Sequence, residues 1–285
     1  MQRNPRTSKP SSRLNSACNL TYTRQPVGLF DSGIGGLTAA YAIIRELPQE
    51  QIVYFGDTAH LPYGPQPAET IRAYSADITA FLLQQGCKAI VVACNTATAA
   101  ALNYLRERWP DVPFIGMEPA VKPGAHATRS GKVGVLATAG TFKSQRYASL
   151  MHRYAVNVEL LENPCTGLVE RIEAGQLNSP ETEAFLRSIL APMLAVGADT
   201  FVLGCTHYPF VQPLIEKIVG PDATVINPAP AIARQLRRVL EERGIRSAER
   251  AGPHRFYISG PKGNFESLAS TLLGFEVRVE AEVVL

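Results

Sequence analysis

Three stretches of this chain carry apolar side chains at successive positions instead of alternate ones: Val27-Gly-Leu-Phe30, Ile52-Val-Tyr-Phe55 and Ala89-Ile-Val-Val-Ala93. A strand with one wet face alternates apolar with polar residues, so a run without that alternation has to bury both faces. The architecture that does this is a parallel sheet covered by helices on both sides. The intervening segments suit it. Leu37–Leu47 reads as a helix ended near Pro48. Residues 67–85 place Ile71, Tyr74, Ile78, Phe81 and Leu82 on one helical face, with Gly86 at its end. Another helix follows Cys94-Asn-Thr96 and runs to about Arg108. The expected fold class is α/β, with doubly wound domains and mainly parallel sheets.

The same order then recurs. Val27-Gly-Leu-Phe-Asp-Ser-Gly aligns with Val133-Gly-Val-Leu-Ala-Thr-Ala at an offset of 106, and Ile52-Val-Tyr-Phe-Gly-Asp with Val158-Glu-Leu-Leu-Glu-Asn at the same offset. Ala89-Ile-Val-Val-Ala-Cys94 aligns with Thr200-Phe-Val-Leu-Gly-Cys205 at an offset of 111. Three collinear matches indicate two pseudo-symmetric halves. Short apolar strands also align by chance, but chance explains poorly why a cysteine ends the same strand in both halves. The Gly/Pro/polar stretches at 117–131 and Gly220–Pro230 read as crossings. After the second come a helix over about 229–243 and a last hydrophobic segment, 254–285, too short for a domain of its own. The expected division is an N-terminal extension (1–24), a first α/β domain (25–117 with 227–285) and a second (118–226), with the site in the cleft between the two.

Composition narrows the function classes. At 285 residues the chain is one large domain or two ordinary ones, and 46% hydrophobic with 19% charged residues excludes disordered and collagen-like classes. A net charge of +3 is too small to argue for nucleic acid, because Arg3, Arg6, Lys9, Arg13 and Arg24 all sit in an acid-free N-terminal stretch. No apolar run approaches the length of a membrane span. Five cysteines do not make a disulfide framework in a chain this long, which favours a reducing compartment, and the cytoplasm is expected. Residues 1–24 lack the apolar core of a secretory signal; they read as a disordered tail or a docked extension, and an organellar transit peptide shares their composition.

In open α/β sheets ligands sit outside the carboxyl ends of the strands. Cys94 and Cys205 both fall at such ends, followed by Asn95-Thr96 and Thr206-His207. If the halves face each other, the two thiols flank one cleft. That geometry suits removal of a proton from one face of a carbon and delivery to the other, which inversion of a stereocentre requires. A free thiol titrates near 8.5, so a basic cysteine needs help. Both cysteines precede predicted helices, whose N-termini favour a thiolate. His207 and Asp31 are placed to assist proton movement. Cys18, Cys87 and Cys165 read as core or surface residues, and His60, His126, His152 and His254 as structural or exposed. Zinc is the competing reading for Cys-x-His, but the paired short spacings of a structural zinc site are absent. The glycines at 33, 35 and 36 miss the G-x-G-x-x-G spacing because position 38 is Thr; their N–H groups still suit a phosphate or carboxylate.

Together, Phe30-Asp-Ser-Gly-Ile-Gly-Gly-Leu37, Pro62-Tyr-Gly64, Ala93-Cys-Asn-Thr-Ala97 and Gly204-Cys-Thr-His-Tyr-Pro209 closely resemble the glutamate racemases, a family of cofactor-independent amino-acid racemases. The resemblance runs from about Val27 to at least Ile232. It implies interconversion of L- and D-glutamate, supplying D-glutamate for peptidoglycan, without cofactor or metal. It implies Cys94 as the base for D-glutamate and Cys205 for L-glutamate, with Asp31 and His207 assisting. It implies substrate contacts, including Asp31 and His207, at Ser32, Tyr63, Gly64, Asn95, Thr96 and Thr206. A further carboxylate in a short helix ahead of the second cysteine is matched best by Glu173, with Glu170 as the alternative. The fold implied is two doubly wound domains, closing over substrate, with the C-terminal segment returning to the first. The N-terminal extension departs from the family core. Some bacterial members with such an extension are activated by a UDP-linked muramic acid precursor, and activation is carried over on that ground; the family is also often homodimeric.

Three rivals remain at this level. A relative acting on aspartate, a hydantoin or a malonate shares the superfamily, although a decarboxylase would keep only one of the two cysteines. Binding to DNA gyrase occurs in some glutamate racemases, but no basic stripe here calls for it. A cysteine nucleophile forming a covalent intermediate leaves the second strand-end cysteine unexplained.

Overall fold

A computed structural model describes residues 23–285. The expectations for residues 1–22, Cys18 included, lie outside the described residues.

The first half runs β1 (Val27–Asp31), α1 (Leu37–Glu46), β2 (Ile52–Gly56), α2 (Ala68–Gln84), β3 (Ala89–Val92), α3 (Asn95–Arg108), β4 (Phe114–Gly116) and α4 (Val121–Ala127). The second runs β5 (Lys132–Ala137), α5 (Ala139–Phe142), α6 (Gln145–Tyr154), β6 (Glu159–Asn163), α7 (Leu168–Glu173), α8 (Pro180–Ala195), β7 (Thr200–Gly204), a 3-10 turn (Tyr208–Val211), α9 (Gln212–Val219) and β8 (Thr224–Ile226). The C-terminal part is α10 (Ala229–Glu242), β9 (Arg255–Ile258), α11 (Phe265–Leu273) and β10 (Val279–Glu282).

These strands form two sheets, ordered β10-β9-β2-β1-β3-β4 and β6-β5-β7-β8, and every pairing is parallel. Omitting the two C-terminal strands, both sheets have the same order, as duplicated halves should. Register tests the alignment residue by residue. Val27 pairs with Ala89 and Val133 with Thr200, so Cys94 and Cys205 occupy equivalent positions. In the second strand Val27 pairs with Ile52 but Val133 with Leu160, so Ile52 corresponds to Leu160. The sequence alignment with Val158 is two residues out, because the connection from β5 to α6, which holds α5, is longer than that from β1 to α1.

Both faces of the first sheet are buried, as the unbroken apolar runs require. Val27 and Leu29 pack with Leu37 and Ile43 of α1 and Leu236 of α10; Phe30 packs on the other side with Ile71, Ile78 and Leu82 of α2 and Leu105 of α3. Each such side chain contributes about 1.5–3 kcal/mol by leaving water. The second sheet is less enclosed: β6 is only part-buried and carries Glu159 and Glu162 outward.

Both predicted crossings contain regular structure. Residues 117–131 hold α4, which tolerates Pro123 because the first helical turn needs no internal N–H partner there. Gly220–Pro230 holds β8, a three-residue edge strand too short to leave a pattern in the sequence. Among the described residues no helix is long and apolar enough to cross a membrane.

Candidate active site

The carboxyl ends of β1, β3, β5 and β7 converge on a cavity of about 170 Å3. Its walls include Ser32, Tyr63, Gly64, Cys94, Asn95, Thr96, Cys205, Thr206 and His207, so nine of the eleven predicted site residues line it. The other two, Asp31 and Glu173, stand directly behind the wall, each bonded to a lining residue.

Asp31 ends β1 and is fully buried. It accepts hydrogen bonds from the N–H groups of Ser32 (2.7 Å) and Gly36, and from Thr206 Oγ1 (3.1 Å) of the other half. Burial raises its pKa despite the opposing charge of His207. Cys94 follows β3 and caps α3, its Sγ accepting from Ala97 N–H at 3.4 Å. Burial nevertheless pushes the Cys94 thiol well up, and the Asp31 carboxylate beside it acts in the same direction. The expected helix-terminus effect is present but outweighed, so Cys94 rests as a neutral thiol.

Cys205 has a different partner. The sequence expectation of a helix directly after it fails: a 3-10 turn intervenes before α9. Instead its Sγ lies 3.8 Å from His207 Nδ1, and His207 Nε2 lies 2.7 Å from Glu173 Oε1. Burial alone would lower the His207 pKa, but its bonds to Cys205 and Glu173 win and hold it well above the ordinary imidazole value. The same Glu173 oxygen accepts from Ile34 N–H at 2.9 Å, so it also ties the second half to the glycine loop of the first. Glu170, the alternative carboxylate, lines the cavity without touching His207.

Two side chains define what the cavity offers a ligand. Asn95 is buried, and neither its amide oxygen nor its amide nitrogen has a partner, which marks a donor and an acceptor left for a ligand. Tyr63 lines the cavity, but its hydroxyl donates to Asp57 Oδ2 at 2.5 Å, so it offers a ligand its ring and backbone only.

The arrangement can be set beside known proteins. A family profile for Asp/Glu/hydantoin racemases matches residues 38–236. A glutamate racemase of Pseudomonas aeruginosa is 52% identical over 248 residues, spanning 87% of this chain and 94% of its own. The chain belongs to the glutamate racemase family. Solved structures agree. Glutamate racemase from Francisella tularensis, in complex with D-glutamate, superposes with a TM-score of 0.80 at 33% identity, covering 92% of this chain and 98% of its own. The Escherichia coli racemase, in complex with L-glutamate and the activator UDP-MurNAc-Ala, gives 0.76 at 30% identity, covering 87% and 92%. The racemase is therefore an isomerase with the family's α/β architecture.

Glycines keep the cavity open. A Cβ at position 35 would stand 2.4 Å from His207 Nδ1 and 2.7 Å from Asp31 Oδ2; one at position 33 would collide with the Glu173 carboxylate. The spacing that failed as a dinucleotide motif lets Asp31, His207 and Glu173 approach the loop closely.

Sequence reasoning missed several residues. Thr138, at the end of β5, lines the cavity and shares a hydrogen bond with Thr96 across the halves (2.9 Å). The signal was available, since the repeat alignment sets Thr138 opposite Ser32. Cys165 is buried in the core, as one of its two readings has it, and also lines the cavity with Thr166 and Gly167; it carries a positive φ of 45°, which nothing in its residue type announces. His60 and His254, read as partnerless, have partners: His60 Nδ1 lies 2.9 Å from Asp57 Oδ1, and His254 Nδ1 accepts from Ile52 N–H at 3.1 Å. Cys87 is a buried core thiol pushed up to about 12 by burial, as its structural assignment requires.

Proposed function

We propose that this racemase interconverts L- and D-glutamate by a two-thiol, cofactor-independent proton transfer, supplying D-glutamate for peptidoglycan in the cytoplasm. The observation that carries the reading is the placement of Cys94 and Cys205: register-equivalent ends of two sheets, one cavity between them, and a separate acid/base partner behind each.

Cys94, once it has passed its thiol proton to Asp31, takes the α-proton of D-glutamate, while Cys205 delivers its thiol proton to the opposite face and recovers one from His207, which Glu173 backs. L-glutamate runs the roles in reverse. One proton leaves and one arrives, so no oxidant or other reactant is needed. The carbanion is the difficult species, and preorganised donors in a water-poor site are what stabilise it. Asn95, with its unpartnered amide, and the hydroxyls of Ser32, Thr96 and Thr206 are the groups that would hold the carboxylates and ammonium. The division into domains 25–117 with 227–285 and 118–226, closing over substrate, is supported by β9 and β10 joining the first sheet and by the Asp31–Thr206 and Glu173–Ile34 bonds across the cleft.

An activator belongs to the same proposal. A second cleft of about 870 Å3 lies among α2, α3, α4, α6 and α10 and is lined by Arg72, Arg106, Lys122, Arg146, Arg153 and Arg234, with Glu118 opposing. Its cations suit a diphosphate-bearing precursor of the kind present in the Escherichia coli racemase structure.

The test is to supply each pure enantiomer in D2O and follow optical rotation and α-deuterium. Deuterated racemate from either enantiomer supports the reading. Inactivity on glutamate, alone and with the UDP-linked muramic acid precursor, together with turnover of aspartate or a hydantoin would replace it.

A further inference from the structure

We propose that Asp57 is a positioning residue for substrate binding: it fixes the Pro62-Tyr63-Gly64 wall of the cavity, with Ser259 of the C-terminal segment as its anchor. The inference rests on the reading of the cavity as the glutamate site.

Asp57 follows β2 at the carboxyl end of the first sheet and is almost fully buried. Its own N–H donates to the Asp31 carbonyl at 2.8 Å, so it sits beside the acid that partners Cys94. Three side chains converge on its carboxylate. Tyr63 Oη donates to Oδ2 at 2.5 Å, Ser259 Oγ donates to Oδ1 at 2.5 Å, and His60 Nδ1 lies 2.9 and 3.0 Å from the two oxygens. A carboxylate is acceptor-only, so one group holds all three donors at once, as an amide could not.

The carboxylate thus closes a loop. Residues 57–66 leave the sheet at Asp57 and pass through Tyr63, whose ring is buried. The hydroxyl brings the loop back onto its own origin, while His60 stacks on Tyr74 of α2 with ring centroids 3.9 Å apart. Ser259 also accepts from Ala59 N–H at 3.0 Å, and Thr58 Oγ1 accepts from Gly260 N–H at 3.0 Å, so the segment directly after β9 supplies the outer support. What this fixes is the face that Tyr63 and Gly64 turn to the ligand. Gly64 also meets the other half: its carbonyl lies against Gly140 of α5, where a Cβ would come within 2.8 Å. A loop free to shift here would lose contacts with the ground state and the transition state alike. Such uniform loss raises KM and leaves kcat largely in place. The return of the C-terminal segment to the first sheet then has a functional consequence, because Ser259 reaches the site from about 200 residues away.

The experiment measures kcat and KM for both enantiomers, with thermal unfolding as the fold control, in the parent, Tyr63→Phe, Asp57→Asn, Ser259→Ala and Tyr63→Phe/Asp57→Asn. Tyr63→Phe removes one hydroxyl and no ring packing. It should raise KM about tenfold for both enantiomers with kcat within about threefold, and Ser259→Ala should do the same more weakly. The double variant should be no worse than Asp57→Asn alone, because both remove one interaction. If Asp57→Asn fails to fold, Tyr63→Phe and Ser259→Ala decide. Folded variants with KM within twofold of the parent, or losses carried by kcat, would overturn the inference. A parent that does not turn over glutamate would instead remove the reading on which it rests.

Discussion

Cys94 and Cys205 stand at equivalent positions of duplicated sheets, yet their surroundings differ in kind. Behind Cys94 is a buried carboxylate, Asp31, held by backbone N–H groups and by Thr206. Behind Cys205 is an imidazole, His207, backed by Glu173. The carboxylate and the burial push the first thiol towards its neutral form. The second thiol faces an imidazole that its bonds to Cys205 and Glu173 hold well above its ordinary pKa. The matching strand orders and registers place the two thiols equivalently, but one is backed by a carboxylate and the other by an imidazole. The proposed two-thiol mechanism does not need a symmetric site, because in it each thiol is an acid in one direction and a base in the other.

The comparison breaks most visibly if the helpers are removed. Asp31→Asn and His207→Asn should each lower kcat/KM by roughly 100- to 10,000-fold, the range expected of a lost acid/base group. Since L- and D-glutamate are equally stable, the fall must be equal in the two directions; unequal falls would signal inactivation during the assay. Next in size, Glu173→Gln should cost roughly 10- to 100-fold, and Glu170→Gln, which does not touch His207, less than about threefold.

Glu173→Gln also carries a pH signature. A raised native His207 pKa stabilises the fold fully below about pH 6.5, its unfolded value, and that contribution is lost as pH rises through the native value. Weakening the His207–Glu173 bond should flatten this alkaline loss in melting temperatures measured against pH. The smallest effect is expected at Cys87, away from both clusters: Cys87→Ala should leave turnover within twofold and cost about 1 kcal/mol of stability.

Legibility followed sequence distance and strand burial. The first-sheet strands could be read because burial on both faces leaves no alternation, and Cys94 and Cys205 because their strands align without a gap. β4 and β8 could not, being three-residue strands bracketed by Pro and Gly. β6 slipped by two because only an internal register distinguishes Val158 from Leu160 as the partner of Ile52. Thr138 was present in the repeat alignment and passed over. The Asp57 cluster was out of reach for a different reason: Ser259 and Asp57 meet only once β9 has been placed next to β2, and no local pattern encodes that pairing. Glu173 was recoverable only as a resemblance, because its contact with His207 is made by the fold.

The most direct test of two opposed thiols is α-proton exchange in D2O by Cys94→Ser and Cys205→Ser, each enantiomer assayed alone. Both variants should lose racemisation. Cys94→Ser should still exchange L-glutamate slowly, with retention, through Cys205; Cys205→Ser should exchange only D-glutamate, through Cys94. Racemisation near the parent rate in either variant, or exchange of both enantiomers by a single remaining thiol, would contradict the account.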